Sequence, residues 1–267
     1  MSDLPALPTP SPEPDLWASL RAFTAARIAL GRTGTSVPLR EALAFRLAHA
    51  HARDAVYSVL DNAQLVKGLA ELGLPVLEVR SQAATRAEYL RRPDRGRQLD
   101  AASRAQLADT AAGDCDLVVV LADGLSATAT NQHALPLLRQ LVPALRQAGF
   151  RLGPLVLAEQ ARVALGDEVG YQLGARLVLV LIGERPGLSA PDSLGAYFTH
   201  GPRLGLTDEA RNCVSNIRPA GLGYDAAAAK LAYLLSESLR RQLSGVGLKD
   251  ESGLLHEPGP DAELLAS

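Results

Sequence analysis

The chain has 267 residues, 47% hydrophobic and 21% charged, with a formal net charge of −2 and a pI near 6.2. That is enough ordinary globular material for one large or two modest domains, and nothing in the overall balance marks a nucleic-acid or membrane-surface binder. The two cysteines, Cys115 and Cys213, lie far apart, form no metal-binding spacing and are compatible with a reducing cytosol.

In chain order, Met1 to Asp15 reads as a disordered tail. Five prolines between Leu4 and Asp15 remove backbone donors, and there is no apolar stretch of a secretory signal. No apolar run approaches the ~20 residues of a membrane span. Leu16 to Leu30 is expected to be a helix ended by Gly31. Gly31-Arg-Thr-Gly-Thr-Ser36 follows as a loop, read first as a helix–helix connection and second as an anion site. Ser36 is expected to cap a helix whose core stripe is Leu39, Leu43 and Leu47, ending at His49 and His51. Those two histidines, two apart on a helix, cannot chelate one metal side by side. Asp54 to Leu72 continues as helix, with Val56, Leu60 and Leu65 inward and Gly73 as its end. Residues 16–73 thus form a helical N-terminal domain after a tail at 1–15, and residues 74–267 form an α/β domain.

Within that second domain, Pro75 to Val79 is a first strand. Arg86 to Arg92 and Asp100 to Ala112 are helices around Arg91-Arg-Pro-Asp-Arg-Gly-Arg97. Its four arginines read as a solvated loop beside acidic neighbours, with phosphate binding as the alternative. Leu117 to Ala122 is a second strand, turned at Asp123-Gly124. The helix after it carries Leu137, Leu138, Leu141, Val142 and Leu145 inward, with a kink or boundary expected at Pro143. Leu155 to Leu157 is a short third strand, and Arg162 to Leu173 is a helix closed by Gly174. Leu177 to Ile182 is a fourth strand whose unbroken aliphatic run indicates burial on both faces, as in a parallel sheet. Leu194 to Thr199 is a candidate fifth strand, Asp225 to Leu243 a final helix, and Gly253 onward a loose tail. The fold class is therefore α/β: an N-terminal helical domain followed by a Rossmann-like open, mostly parallel sheet flanked by helices. In such sheets ligands sit beyond the carboxyl ends of the strands, where Glu184 to Asp192 falls.

Candidate chemistry is sparse. Asp123, Ser126 and His133 contain the residue types of a hydrolase triad. However, Ser126 and His133 are two helical turns apart, ~10.5 Å along the axis, and no G-x-S-x-G is present. An aspartate at a strand end and a serine capping a helix are the better readings. No G-x-G-x-x-G or G-x-x-x-x-G-K-[ST] supports a dinucleotide or nucleoside triphosphate. The five histidines are scattered, with no H-E-x-x-H, so no protein-built metal site is expected. Glu184 is either a hydrogen-bond acceptor in a cleft or an ion-pair partner of Arg185. From the residues alone, Val163 and Cys213 read as core.

Three blocks nonetheless resemble a known family: Leu121-Ala-Asp-Gly-Leu-Ser-Ala-Thr-Ala129 with His133, Gly183-Glu-Arg-Pro-Gly-Leu-Ser189 with Asp192-Ser-Leu194, and Arg211-Asn-Cys-Val-Ser-Asn-Ile-Arg-Pro219. With the Gly31-Arg-Thr-Gly34 loop, and from about Leu16 to Asp250, the sequence is similar to the small (light) subunit of ethanolamine ammonia-lyase. The resemblance implies conversion of ethanolamine to acetaldehyde and ammonia by adenosylcobalamin radical chemistry. The substrate and catalytic residues would lie on a large subunit, and several copies of each chain would make a hetero-oligomer, inactive without the large subunit. It also implies cobalamin contacts at Val163, Glu184 and Cys213. Many cobalamin mutases carry D-x-H-x-x-G, whose histidine replaces the lower axial base. This chain lacks it, so the cofactor is expected to bind base-on. No nucleic acid or membrane partner is expected. A proline-rich start departs from the address helix of members enclosed in a bacterial microcompartment, so a cytoplasmic location is expected ahead of encapsulation. The alternative function is a non-catalytic Rossmann-like module for another nucleotide-bearing ligand.

Overall fold

The computed structural model describes residues 17–24, 26–110 and 114–251. The expected tails at 1–15 and from Gly253 lie outside these residues. Six strands form one sheet: β1 (Val76–Arg80), β2 (Leu117–Ala122), β3 (Leu152–Glu159), β4 (Leu177–Gly183), β5 (Leu194–His200) and β6 (Asn212–Ile217), in the order β1-β3-β2-β4-β5-β6. The first four are parallel, β5 adds antiparallel to β4, and β6 adds antiparallel to β5. β2 and β4 are buried at every position, which is why their sequences are unbroken aliphatic runs rather than alternating ones.

Alternate residues of these strands serve two apolar layers. Leu117, Val119, Leu121, Leu177, Leu179 and Leu181 face α2 (Asn62–Leu69), α5 (Ala127–Gln147) and α7 (Tyr224–Arg241). Val118, Val120, Val178 and Val180 face α4 (Ala101–Asp109) and α6 (Leu165–Gln172). Two glycines make the central strand ends fit. The Leu125 N–H donates to the Gly183 carbonyl at 2.9 Å. A Cβ on Gly183 would collide with the Ser126 carbonyl oxygen, and one on Gly124 with the Gly183 carbonyl. Gly183 is the last residue of β4, and the close approach of the β2 turn requires a glycine there.

Several expectations need correction. The helix expected from Leu16 to Leu30 does not form over its described residues: among them only Ala18–Phe23 makes a short 3-10 helix, with no buried residue to hold anything longer. The 31–36 loop is a tight turn closed by paired Thr33 and Ser36 backbone bonds, not a link between helices. Ser36 does not cap α1 (Leu39–Tyr57), whose N-cap is Pro38, and α1 runs past His51 to Tyr57. Its leucine stripe points outward, with Leu39, Leu43 and Leu47 74%, 53% and 58% exposed. Within this chain only Ala55 of α1 is buried. After a break, Asp61 caps α2 by accepting the Gln64 N–H, and Gly73 ends the following turn in the left-handed conformation.

α3 (Arg86–Arg91) agrees with expectation. The arginine loop after it is salted to its neighbours, Arg92 to Asp94 at 2.7 Å and Arg95 to Glu88. No boundary forms at Pro143. α5 runs through Pro136 and Pro143, because its buried face is continuous and Pro143 is exposed. β3 begins earlier than expected. The register between β2 and β3 slips where Leu117 pairs with Leu152 and Val119 with Leu155, and this irregularity absorbs Pro154 inside a strand. β6 was not expected at all. It is a mostly polar edge strand with only Val214 and Ile217 buried.

Replacing Gly183 with alanine is expected to force the β2 and β4 ends apart and cost about 1–3 kcal/mol or more. Denaturant unfolding of the variant against the wild type measures this, and an unchanged midpoint would refute it.

Candidate functional site

The carboxyl ends of β2, β3 and β4 meet at a pair of adjoining cavities of about 490 and 310 Å³. Gly124, Leu125, Ile182, Gly183, Glu184 and Arg185 line the first, and Arg97, Asp208, Arg211 and Cys213 the second. Arg162, Val163 and Tyr197 form the shared wall.

Beneath this floor Asp123 ties two strand ends together. One carboxylate oxygen accepts the Ala161 N–H at 2.9 Å, and the other accepts the Gln160 N–H at 2.9 Å and Arg86 at 3.4 Å. Arg86 also donates to the Val56 and Gly124 carbonyls, joining α1 to the same point. Tyr89 is fully buried between two guanidiniums, Arg86 at 4.6 Å and Arg162 at 4.2 Å from its ring centroid, and donates to the Ala161 carbonyl. Burial pushes the Asp123 carboxyl up to about 6, against the pull of the Ala161 N–H and Arg86.

The site residues expected from sequence are brought together. Val163 lies in the turn just before α6 and borders both cavities. Its N–H has no hydrogen-bond partner among the described residues. Glu184 follows β4. Its Oε2 accepts from the Ser193 hydroxyl and from the Asn216 N–H at 3.2 Å, and its own N–H donates to the Ser193 carbonyl at 2.9 Å. Among the described residues it forms no ion pair with Arg185, and Oε1 takes no hydrogen bond. Cys213 is on β6, exposed and free, directly across from Tyr197 of β5. It is an edge-strand residue rather than core. Burial raises the Tyr197 hydroxyl above its usual range, with Cys213 and Glu184 adding to the effect.

The hydrolase grouping is not assembled. Asp123 is committed to Gln160, Ala161 and Arg86. Ser126 caps α5 and donates to the Pro191 carbonyl at 2.9 Å, and His133 bonds Asp192 at 3.2 Å and Tyr224 at 2.8 Å. Sequence reasoning did not find Tyr197, Arg162 or Tyr89. Tyr197 offered one signal, a polar-tipped aromatic in the middle of a strand whose other central residues, Ala196 and Phe198, are apolar.

These contacts make the three sequence blocks one place. Leu125 of the first bonds Gly183 of the second, Ser126 of the first bonds Pro191 next to Asp192 of the second, and Asn216 of the third bonds Glu184 of the second. The family model for the ethanolamine ammonia-lyase light chain (EutC) matches residues 14–249. The chain belongs to the ethanolamine ammonia-lyase light chain family. Among its relatives, the ethanolamine ammonia-lyase small subunit of Bradyrhizobium diazoefficiens is 57% identical over 94% of this chain and 95% of its own length. That of Ralstonia nicotianae is 55% identical over 93% and 92%, and that of Pseudomonas fluorescens 52% over 93% and 91%. As a light chain it is a lyase subunit, and its class implies a large partner. No helix among the described residues is long and apolar enough to cross a membrane.

The raised Asp123 carboxyl has a measurable consequence. Its folded value lies above the unfolded value near 4, so the fold holds this proton more tightly. Its contribution to stability is complete below about pH 4 and is lost as the pH rises through about 6. Wild-type stability relative to Asp123→Asn is expected to fall by roughly 3 kcal/mol between pH 3 and pH 7. A difference that stays flat across that range would refute the shift.

Proposed function

We propose that this chain is the small subunit of an adenosylcobalamin-dependent ethanolamine ammonia-lyase, and that its paired cavities form one wall of a cobalamin site completed by the large subunit. The observation that carries the reading is the convergence of Val163, Glu184 and Cys213 on one cavity system in a member of this family. The lining also fits a corrin with amide arms. Val163, Leu125 and Ile182 supply apolar surface, and Glu184 Oε1 is an open acceptor.

When bound, the cofactor supplies the organic radical that starts the carbon–nitrogen cleavage. This chain's own residues bind and cover. Glu184 accepts from an amide or hydroxyl of the cofactor, Tyr197 and Val163 form the shared wall, and Cys213 lies at its β6 edge. Together they help keep water from the reacting side. We infer base-on binding, because the chain has no sequence that would replace the lower axial base. The outward leucine stripe of α1 supports a chain that works against a partner rather than alone. We place the assembly, with several copies of each subunit, in the cytoplasm.

The isolated chain is expected to show no ethanolamine deamination. Its complex with a co-expressed large subunit should turn over only with adenosylcobalamin. Robust turnover by the chain alone would overturn the reading. Within the complex, Glu184→Ala is expected to weaken cofactor binding by ~1–3 kcal/mol, the range for losing one partner of a buried polar group. Ultraviolet-visible titration with adenosylcobalamin reads this, and an unchanged affinity with an intact complex would make Glu184 structural.

A further inference from the structure

We propose that Asp192, clamped between His133 and Arg218, is the positioning residue for the Glu184 carboxylate. The proposal rests on the reading of Glu184 as a cofactor contact. Both donors to Glu184 Oε2 connect to Asp192, one through the chain and the other through Arg218. The Ser193 hydroxyl belongs to the next residue in the chain. The Asn216 N–H belongs to a residue whose side-chain carbonyl accepts Arg218 Nε at 2.9 Å, while Arg218 Nη1 lies 3.8 Å from Asp192 Oδ1. The other Asp192 oxygen takes His133 Nε2 at 3.2 Å. A carboxylate only accepts, so Nε2 carries the shared proton.

The clamp is anchored in the core at its His133 end and by backbone bonding at its Asn216 end. His133 is 5% exposed on α5, and its Nδ1 meets the Tyr224 hydroxyl of α7 at 2.8 Å. Asn216 sits at φ +58°, where the β5–β6 register slips, and its carbonyl accepts the Leu222 N–H at 2.8 Å. That bulge turns the Asn216 N–H toward Glu184. By contrast, the segment between Glu184 and Asp192 has little backbone bonding of its own, the Gly187–Ala190 turn being its main internal link. Its far end is held from outside, by the Ser126 hydroxyl on the Pro191 carbonyl at 2.9 Å and by His133 and Arg218 on Asp192. With Oε2 pinned from two sides, Oε1 has a fixed direction before any ligand arrives, which removes an ordering cost from binding.

A double-mutant cycle on the complex with the large subunit tests this, reading the adenosylcobalamin dissociation constant by ultraviolet-visible difference titration. Asp192→Asn is expected to weaken binding about 5-fold or more when Glu184 is present, and less than about 2-fold in the Glu184→Ala background. Equal factors in both backgrounds would overturn the proposal while leaving Glu184 as a contact. No effect of Glu184→Ala would overturn the contact and the proposal together. If Asp192→Asn fails to assemble, Arg218→Met repeats the cycle by removing only the guanidinium that links Asp192 to Asn216. The same non-additivity is expected, and additivity would again overturn it.

Discussion

The backbone contact between the ends of β2 and β4 sets everything above the sheet. Gly124 and Gly183 have no side chains, so the turn after β2 lies directly on the last residue of β4, close enough for Leu125 to donate to Gly183. This places the start of α5, with its Ser126 cap, against the segment that leaves β4. It also sets Asp123 under the floor and Glu184 at the rim. A larger residue at either position would separate the two strand ends and spread the groups that now face one cavity system.

Two carboxylates at neighbouring strand ends are used in opposite ways. Asp123 is sealed, with both oxygens filled by backbone N–H groups and Arg86, and burial makes its ionisation costly. It holds β2 to β3 and takes no part in the cavity lining. Glu184 is half-buried, with one oxygen filled and the other open. The first arrangement gives rigidity. The second keeps a directed acceptor at a surface that a ligand can reach.

The parallel half of the sheet was legible from sequence because burial on both faces leaves continuous aliphatic runs such as Leu117 to Ala122 and Leu177 to Ile182. The end of β4 was legible for the same reason, and with it the location of Glu184. The partners of Glu184 were not. Asn216 reaches it through a bulge in an edge strand whose polar composition hides it, and Arg218 and Asp192 meet only through folding. Val163 and Cys213 looked like core from their side chains alone, and the resemblance to the family pointed to them as site residues. The inward reading of the α1 stripe has a simple cause: leucine spacing reports that a face wants cover, and among the described residues none covers this one.

The bulge at Asn216 also bears on how the molecule avoids its own copies. An edge strand presents free backbone groups to any passing strand, and the usual hazard is stacking into larger sheets. At one edge β6 is broken out of regular register by a left-handed residue, with polar Ser215 and Asn216 exposed. At the other, β1 is only five residues long and carries exposed Glu78 and Arg80. The irregularity that aims a donor at the site therefore also denies a neighbouring molecule a straight template, so the geometry of recognition and protection from aggregation rest on the same residue.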